Sequence, residues 1–406
     1  MKKNRFFIAF MTAAALMSGC EFKVAKPLWN DPFDAPAAPV ITQILPRDAA
    51  LPGANTITIQ GENFGPGNEE NWVYFDNTAA ELVTAGATSI VVRRPDLITD
   101  SCTVKVVPRN AASPATFGPY AVTAVWERVG GFLENLQLNE VTVDADGNLY
   151  VFQNSPRTAY QILTDGTRTE LLAQTERVVT DAKWTRAGGN PRIILLYRNR
   201  SVNQLDLTAS PPVESMWKKV AKNVAYGDFD GNGTFYAGGS KTDLIIVTSD
   251  LTEKPAPGLY TMDNITSVRV FGGFVYLAVI LASPAAGDPA VGIWRHAILD
   301  NAGNIGPREL VLDWSATGAY AASAVKDITF SADGTMIVAT DNADPFFMLG
   351  TGGAQDVLYK SILPTYPVQI EWGTGNAFYM ILGGSEWNLV RVDMGGPGAP
   401  YYGRIL

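Results

Sequence analysis

Along most of this chain, apolar and polar residues alternate with a period of two, in runs too short for helices. Between residues 39 and 122 the runs PVITQILP, NTITIQG, NWVYFDN, SIVVRRP and CTVKVVP are rich in β-branched residues and bounded by Gly, Pro, Asn or Asp. That is the signature of half-buried strands joined by tight turns. Several such strands in so short a span predict a β-sandwich. Beyond residue 123 a longer unit recurs: an alternating run, an Asp/Asn-Gly turn, then a second alternating run. It reads EVTVDADGNLYVF at 140–152 and DITFSADGTMIVAT at 327–340, with looser copies DAKWTRAGGNPRIILLY (181–197), SVRVFGGFVYLAV (267–279) and VQIEWGTGNAFYMIL (368–382). AYGDFDGNGTFYAG, at 225–238, is the sixth.

Successive copies start roughly 40 to 60 residues apart, the spacing of four-stranded propeller blades. A lone blade exposes both faces; a ring of blades buries them against one another. The expectation is therefore an all-β chain with an N-terminal sandwich over 39–123 and a six-bladed β-propeller over 124–406. Either TAVWERVGGF (123–132) or WNLVRVDMG (387–395) could pair across the ring's closure.

The copy at 225–238 invites a second reading. Asp228, Asp230 and Asn232 alternate ahead of Gly233, as at the start of an EF-hand loop. The bidentate Glu required at the twelfth position is missing, since Gly239 stands there. Asp-Gly and Asn-Gly also supply the positive backbone angles of a hairpin. Aligning Asp230 with Asp146 and Gly231 with Gly147 favours a hairpin turn, with a calcium site as the alternative.

Three segments resemble known families. GANTITIQGENFG, with Gly61, Asn63, Phe64 and Gly65, resembles the IPT/TIG domain, an immunoglobulin-like fold used as a spacer or recognition module. The resemblance implies that the Phe plugs the core while the glycines supply unusual backbone angles. DADGNLYV, from Asp144 to Val151, is similar to the blade hairpin of NHL-type six-bladed propellers. The amino terminus, MKKNRFFIAFMTAAALMSGC, joins a basic start to an apolar run too short to span a bilayer. LMSGC resembles the lipobox of a bacterial lipoprotein. This implies a signal peptide at 1–19, acylation of Cys20, a Pro- and Ala-rich tether over 20–38, and anchoring to the outer membrane on its periplasmic or surface side. Each buried methylene of such an anchor adds about 0.8 kcal/mol.

Composition narrows the chemistry. The formal net charge is −9, with no basic cluster beyond the first five residues, which disfavours a nucleic-acid partner. The chain has one histidine, His296, which rules out multi-His metal sites. Cys102 is the only cysteine besides Cys20 and reads as a small buried apolar residue. No Ser-His-Asp order stands out. The residue inventory leans away from an enzyme and names no cofactor, although a calcium-dependent hydrolase or lactonase is the runner-up. Aromatic side chains stack on sugar rings and anchor protein contacts. Trp217 and Trp387 flank turn-like sequence, and Phe346 and Phe347 fall in 340–356, which reads as a long loop. These four are the expected ligand contacts. The function expected is non-catalytic recognition of a glycan or protein partner at the cell envelope, with a scaffold role in an envelope complex as a further alternative.

Overall fold

A computed structural model describes residues 37–405. The signal segment, Cys20 and the tether up to residue 36 lie outside the described residues. The described residues are almost wholly β, as the alternation predicts, and form eight sheets.

Two sheets make the sandwich. Val40–Leu45, Thr56–Glu62, Ser89–Arg93 and Leu82–Ala85 form one; Ala49–Ala50, Ala115–Val122, Thr99–Pro108, Asn71–Phe75 and Thr78–Ala79 form the other. Ile57, Ile59, Val73, Phe75, Ile90, Val92, Val104 and Val106 fill the space between them. Cys102 is buried there; its Sγ donates to the Tyr120 carbonyl at 3.1 Å, and desolvation pushes the thiol up to about 11. Phe64 is buried as expected, but the glycines beside it serve differently. The positive angle falls on Asn63 (φ 60°), whereas Gly61 leaves room for the Phe64 ring and the Val40 carbonyl.

The other six sheets are blades, and each predicted hairpin is the inner pair of strands of one of them. Their inner strands are Leu138–Val143, Asp181–Thr185, Tyr226–Phe229, Asn264–Phe271, Val325–Phe330 and Pro367–Trp372, numbered here as blades 1 to 6. Each inner strand packs against the inner strands on either side, and the last packs against the first, so the ring closes around an axis. Both terminal runs take part in the closure. Asn388–Asp393 is the third strand of blade 6, and Trp126–Val129 pairs with it as the fourth.

The stretch from 225 to 238 is a hairpin: Phe229 pairs with Phe235 and Asp228 with Tyr236. Its turn is equivalent to that of blade 1, but two residues out of the expected alignment. Asp230 accepts from the backbone N–H of Asn232 and Thr234 and from the Tyr236 hydroxyl; Asp144 does the same for Asp146, Asn148 and Tyr150. Gly233 and Gly147 hold the positive angle (φ 79° and 92°), so Gly231 is not the counterpart of Gly147. Side-chain acceptors and left-handed glycines organise these turns.

The apparent long loop over 340–356 is another correction. Phe346–Leu349 and Gln355–Val357 are the outer two strands of blade 5. Phe346 and Phe347 are almost fully buried, not exposed contacts. Phe346 meets Phe378 of blade 6 edge-on, while Phe347 points the other way onto Trp314 and Tyr320. Successive strand residues face opposite sides, and in a blade both sides are buried.

Candidate functional site

The blades bring one or two charged or amide side chains from each inner strand to the axis: Glu140, Asp181 with Lys183, Asp228, Arg269, Asp327, and Gln369 with Glu371. All are buried. Around them stand three ion pairs. Asp181 Oδ1 is 2.9 Å from Lys183 Nζ, Asp228 Oδ2 is 2.8 Å from Arg269 Nη1, and Glu371 meets Arg404. Lys183 also lies 3.6 Å from Glu371. Buried charges of this kind persist only when paired and hydrogen-bonded.

At one end the channel opens into a polar bowl of about 230 Å³, with Glu140, Asp181, Lys183, Tyr226, Ser267 and Asp327 in its wall. Desolvation and the neighbouring Asp181 carboxylate hold Glu140 well above the usual carboxylate range. Desolvation also pushes Asp327 up to about 6, against the opposing pull of Lys183. Lys183 is raised despite its burial, because Asp181, Glu371 and Glu140 surround it.

The other end is sealed by the C-terminal segment. Ala399 N–H donates to the Phe330 carbonyl at 2.9 Å, and Arg186 N–H to the Gly403 carbonyl at 3.1 Å, so the segment crosses from blade 5 to blade 2. Tyr401 plugs the axis. The Arg269 guanidinium lies 3.6 Å from the centre of its ring and that of Arg404 4.4 Å, both cation–π contacts.

A second recess of about 560 Å³ lies between blades 2 and 3 and includes Trp217, Arg186, Arg192, Gln204 and Asn232. Trp217 belongs to Val213–Val224, the outer strand of blade 2, at a break in register: Val202 pairs with Lys218 but Asn203 with Met216. Trp217 is thus the extra residue of a β-bulge, a device that re-aims a side chain. Its half-buried indole stands edge-on to Phe235 and Phe229 of blade 3, at 5.6 and 6.2 Å between ring centres. Arg192 Nη1 donates to Gln204 Oε1 at 3.0 Å, which fixes a polar edge beside the aromatic wall.

The other expected site residues do not join Trp217. Trp387 is half-buried in the turn between Ala377–Leu382 and Asn388–Asp393 of blade 6 and lines neither recess. Asp228 and Asp230 direct their oxygens to Arg269 and to their own turn, and Asn232 lies at the Trp217 recess instead. Among the described residues no three His, Cys, Asp or Glu side chains group to hold a metal. His296, on the third strand of blade 4, is buried away from the axis, between the Tyr260 hydroxyl (2.8 Å) and the Gly306 carbonyl (2.9 Å). Sequence reasoning missed the axial charges. Each copy of the hairpin carries an ionisable residue in its first strand, but nothing local in the sequence says that the six meet.

Residues 39–123 match the family model of the IPT/TIG domain. No curated relative matches by sequence. Among solved structures, the chain is similar to an auxiliary nutrient binding protein from Bacteroides thetaiotaomicron (12% identity, TM-score 0.52), with 88% of this chain and 98% of that one covered. It also resembles a luciferin-regenerating enzyme at 13% identity and TM-score 0.52, over 68% of this chain and 97% of that one. A putative phosphatase from B. thetaiotaomicron has 11% identity and TM-score 0.50, with coverage of 88% and 97%. Names so different on one architecture mean that the likeness carries the fold, not the activity. The chain therefore combines an IPT/TIG sandwich, shown by its family match, with a six-bladed propeller, shown by its own strand order.

Proposed function

We propose that the protein is a non-catalytic recognition module that binds a glycan in the recess beside Trp217, and that acylated Cys20 holds it at the bacterial envelope. The observation that carries this reading is the bulge that turns Trp217 out of register into a recess of about 560 Å³ edged by Arg186, Arg192, Gln204 and Asn232. An aromatic face flanked by planar hydrogen-bonding groups suits a sugar ring, whose faces are apolar and whose rim is hydroxylated. The envelope location rests on the lipobox-like LMSGC. Among the described residues no helix is long and apolar enough to cross a membrane.

Glycan-array binding by the full chain tests the reading. Trp217→Ala should weaken binding to the best glycan on the order of tenfold. Gln204→Ala, which spares the aromatic contacts, should weaken it less, and Trp387→Ala should leave it unchanged. Equal binding by wild type and the Trp217→Ala variant would exclude this recess as the site.

A further inference from the structure

The carboxylates around the axis outnumber the cations that neutralise them. Asp181, Asp228 and Glu371 have Lys183, Arg269 and Arg404 respectively. Glu140 and Asp327 have no ion-pair partner among the described residues, and both stand in the wall of the axial bowl. Asp327 accepts through Oδ1 from the Ser267 hydroxyl (2.6 Å) and the Ile328 N–H (2.8 Å), while its Oδ2 has only a 3.4 Å contact with the Ile370 N–H. Glu140 is wholly buried; Oε1 takes the Val141 N–H at 3.2 Å, and Oε2 has no hydrogen-bond partner at all. A buried carboxylate oxygen left without a donor costs about as much as a lost hydrogen bond to a charged group.

From this arrangement we infer that the axial bowl is a binding site for a small organic cation, whose ammonium group is taken by Glu140 and Asp327. An ammonium supplies the missing positive charge and three N–H donors, enough for Glu140 Oε2 and the underused Asp327 Oδ2. A cavity of about 230 Å³ has room for a molecule of several heavy atoms rather than a lone ion. The carboxylates do not group as a metal's ligands do. Tyr226 adds an aromatic wall suited to a cation. The cations at the rim do not cancel the charge: Lys326 is held by Asp341 at 3.2 Å, and Arg198 is exposed to screening solvent. This site is separate from the Trp217 recess and does not depend on glycan binding.

Calorimetric titration of the full chain near neutral pH, with ethanolammonium chloride as the probe, tests the inference. Ethanolammonium should bind, whereas neutral ethylene glycol and calcium chloride should not. Glu140→Gln and Asp327→Asn should each weaken ethanolammonium binding on the order of tenfold, and Trp217→Ala should leave it unchanged. The inference is overturned by an absence of ethanolammonium binding, by equal affinity for the neutral probe, by calcium displacing the amine, or by unaltered affinity in the folded carboxamide variants. Should one variant fail to fold, the other variant and the charged-against-neutral comparison on wild type decide the matter.

Discussion

His296, the chain's one imidazole, is fixed in a single protonation state by its neighbours. Nδ1 donates to the Gly306 carbonyl, and in the neutral ring that burial favours, Nε2 accepts from the Tyr260 hydroxyl. Desolvation accordingly holds its pKa below the usual 6.5. Above that value the folded and unfolded chains both carry a neutral ring, and His296 gives no slope. As pH falls through it, the unfolded chain takes up a proton that the folded chain refuses, so stability is lost on acidification. Asp327, raised to about 6, acts in the opposite sense: its contribution is greatest at low pH and is lost as pH rises through that value. The histidine term is therefore read by difference. Urea unfolding at pH 7 and pH 5.5 should show wild type losing more stability on acidification than His296→Gln does, and equal losses would refute the assignment. The sequence gives away such residues unevenly. A lone histidine in an alternating strand reads at once as a strand residue. Its partners lie 10 and 36 positions away, and nothing local announces them. Phe346 and Phe347 misled for a related reason, because adjacent aromatics after TDNADP look like a loop until both faces of the blade are known to be covered.

At the scale of elements, legibility follows locality. Each inner hairpin is specified by its own alternation and turn, so all six could be read directly. The axial network could not be, because its members meet only when six separate strands converge. The C-terminal plug was equally hidden, since PGAPYYGRIL has no period to betray it. Its fit depends on one small residue. Gly398 lies against the indole of Trp372, and a Cβ there would stand only 2.2 Å from the nearest ring atom, far inside van der Waals contact. Trp372 is fully buried and cannot give way, so Gly398→Ala should destabilise the chain by about 1–3 kcal/mol, the range of core overpacking. A guanidinium chloride midpoint within error of wild type would show that the plug tolerates more slack than the packing implies. The same variant should loosen Tyr401, which would appear as faster amide exchange in the inner strands at the end of the channel that the C-terminal segment seals.

At the scale of the molecule, the sandwich is attached to the wheel by a few specific bonds to blades 5 and 6. The Tyr359 hydroxyl accepts from the Gly53 N–H at 2.6 Å and donates to the Asp393 carbonyl at 2.8 Å, while Asn55 takes the Tyr359 N–H at 3.0 Å. Arg93 pairs with Asp356 and Lys360 with Glu81 at the margins. Partly exposed pairs of this kind add little, so Tyr359 is the centre of the joint. Tyr359→Phe removes both hydroxyl bonds and should cost about 1–3 kcal/mol; in calorimetry, a single melting event should broaden or split into two. A sharp, unshifted transition would mean the two parts are coupled by something else. The clasp of the ring has a further consequence, for biogenesis. Trp126–Val129 leaves the ribosome before any blade exists, yet its partner, Asn388–Asp393, belongs to the sixth. The wheel therefore cannot lock until the sixth blade has been made: one edge waits unpaired while five blades are synthesised, and closure is a late step that joins strands more than 250 residues apart.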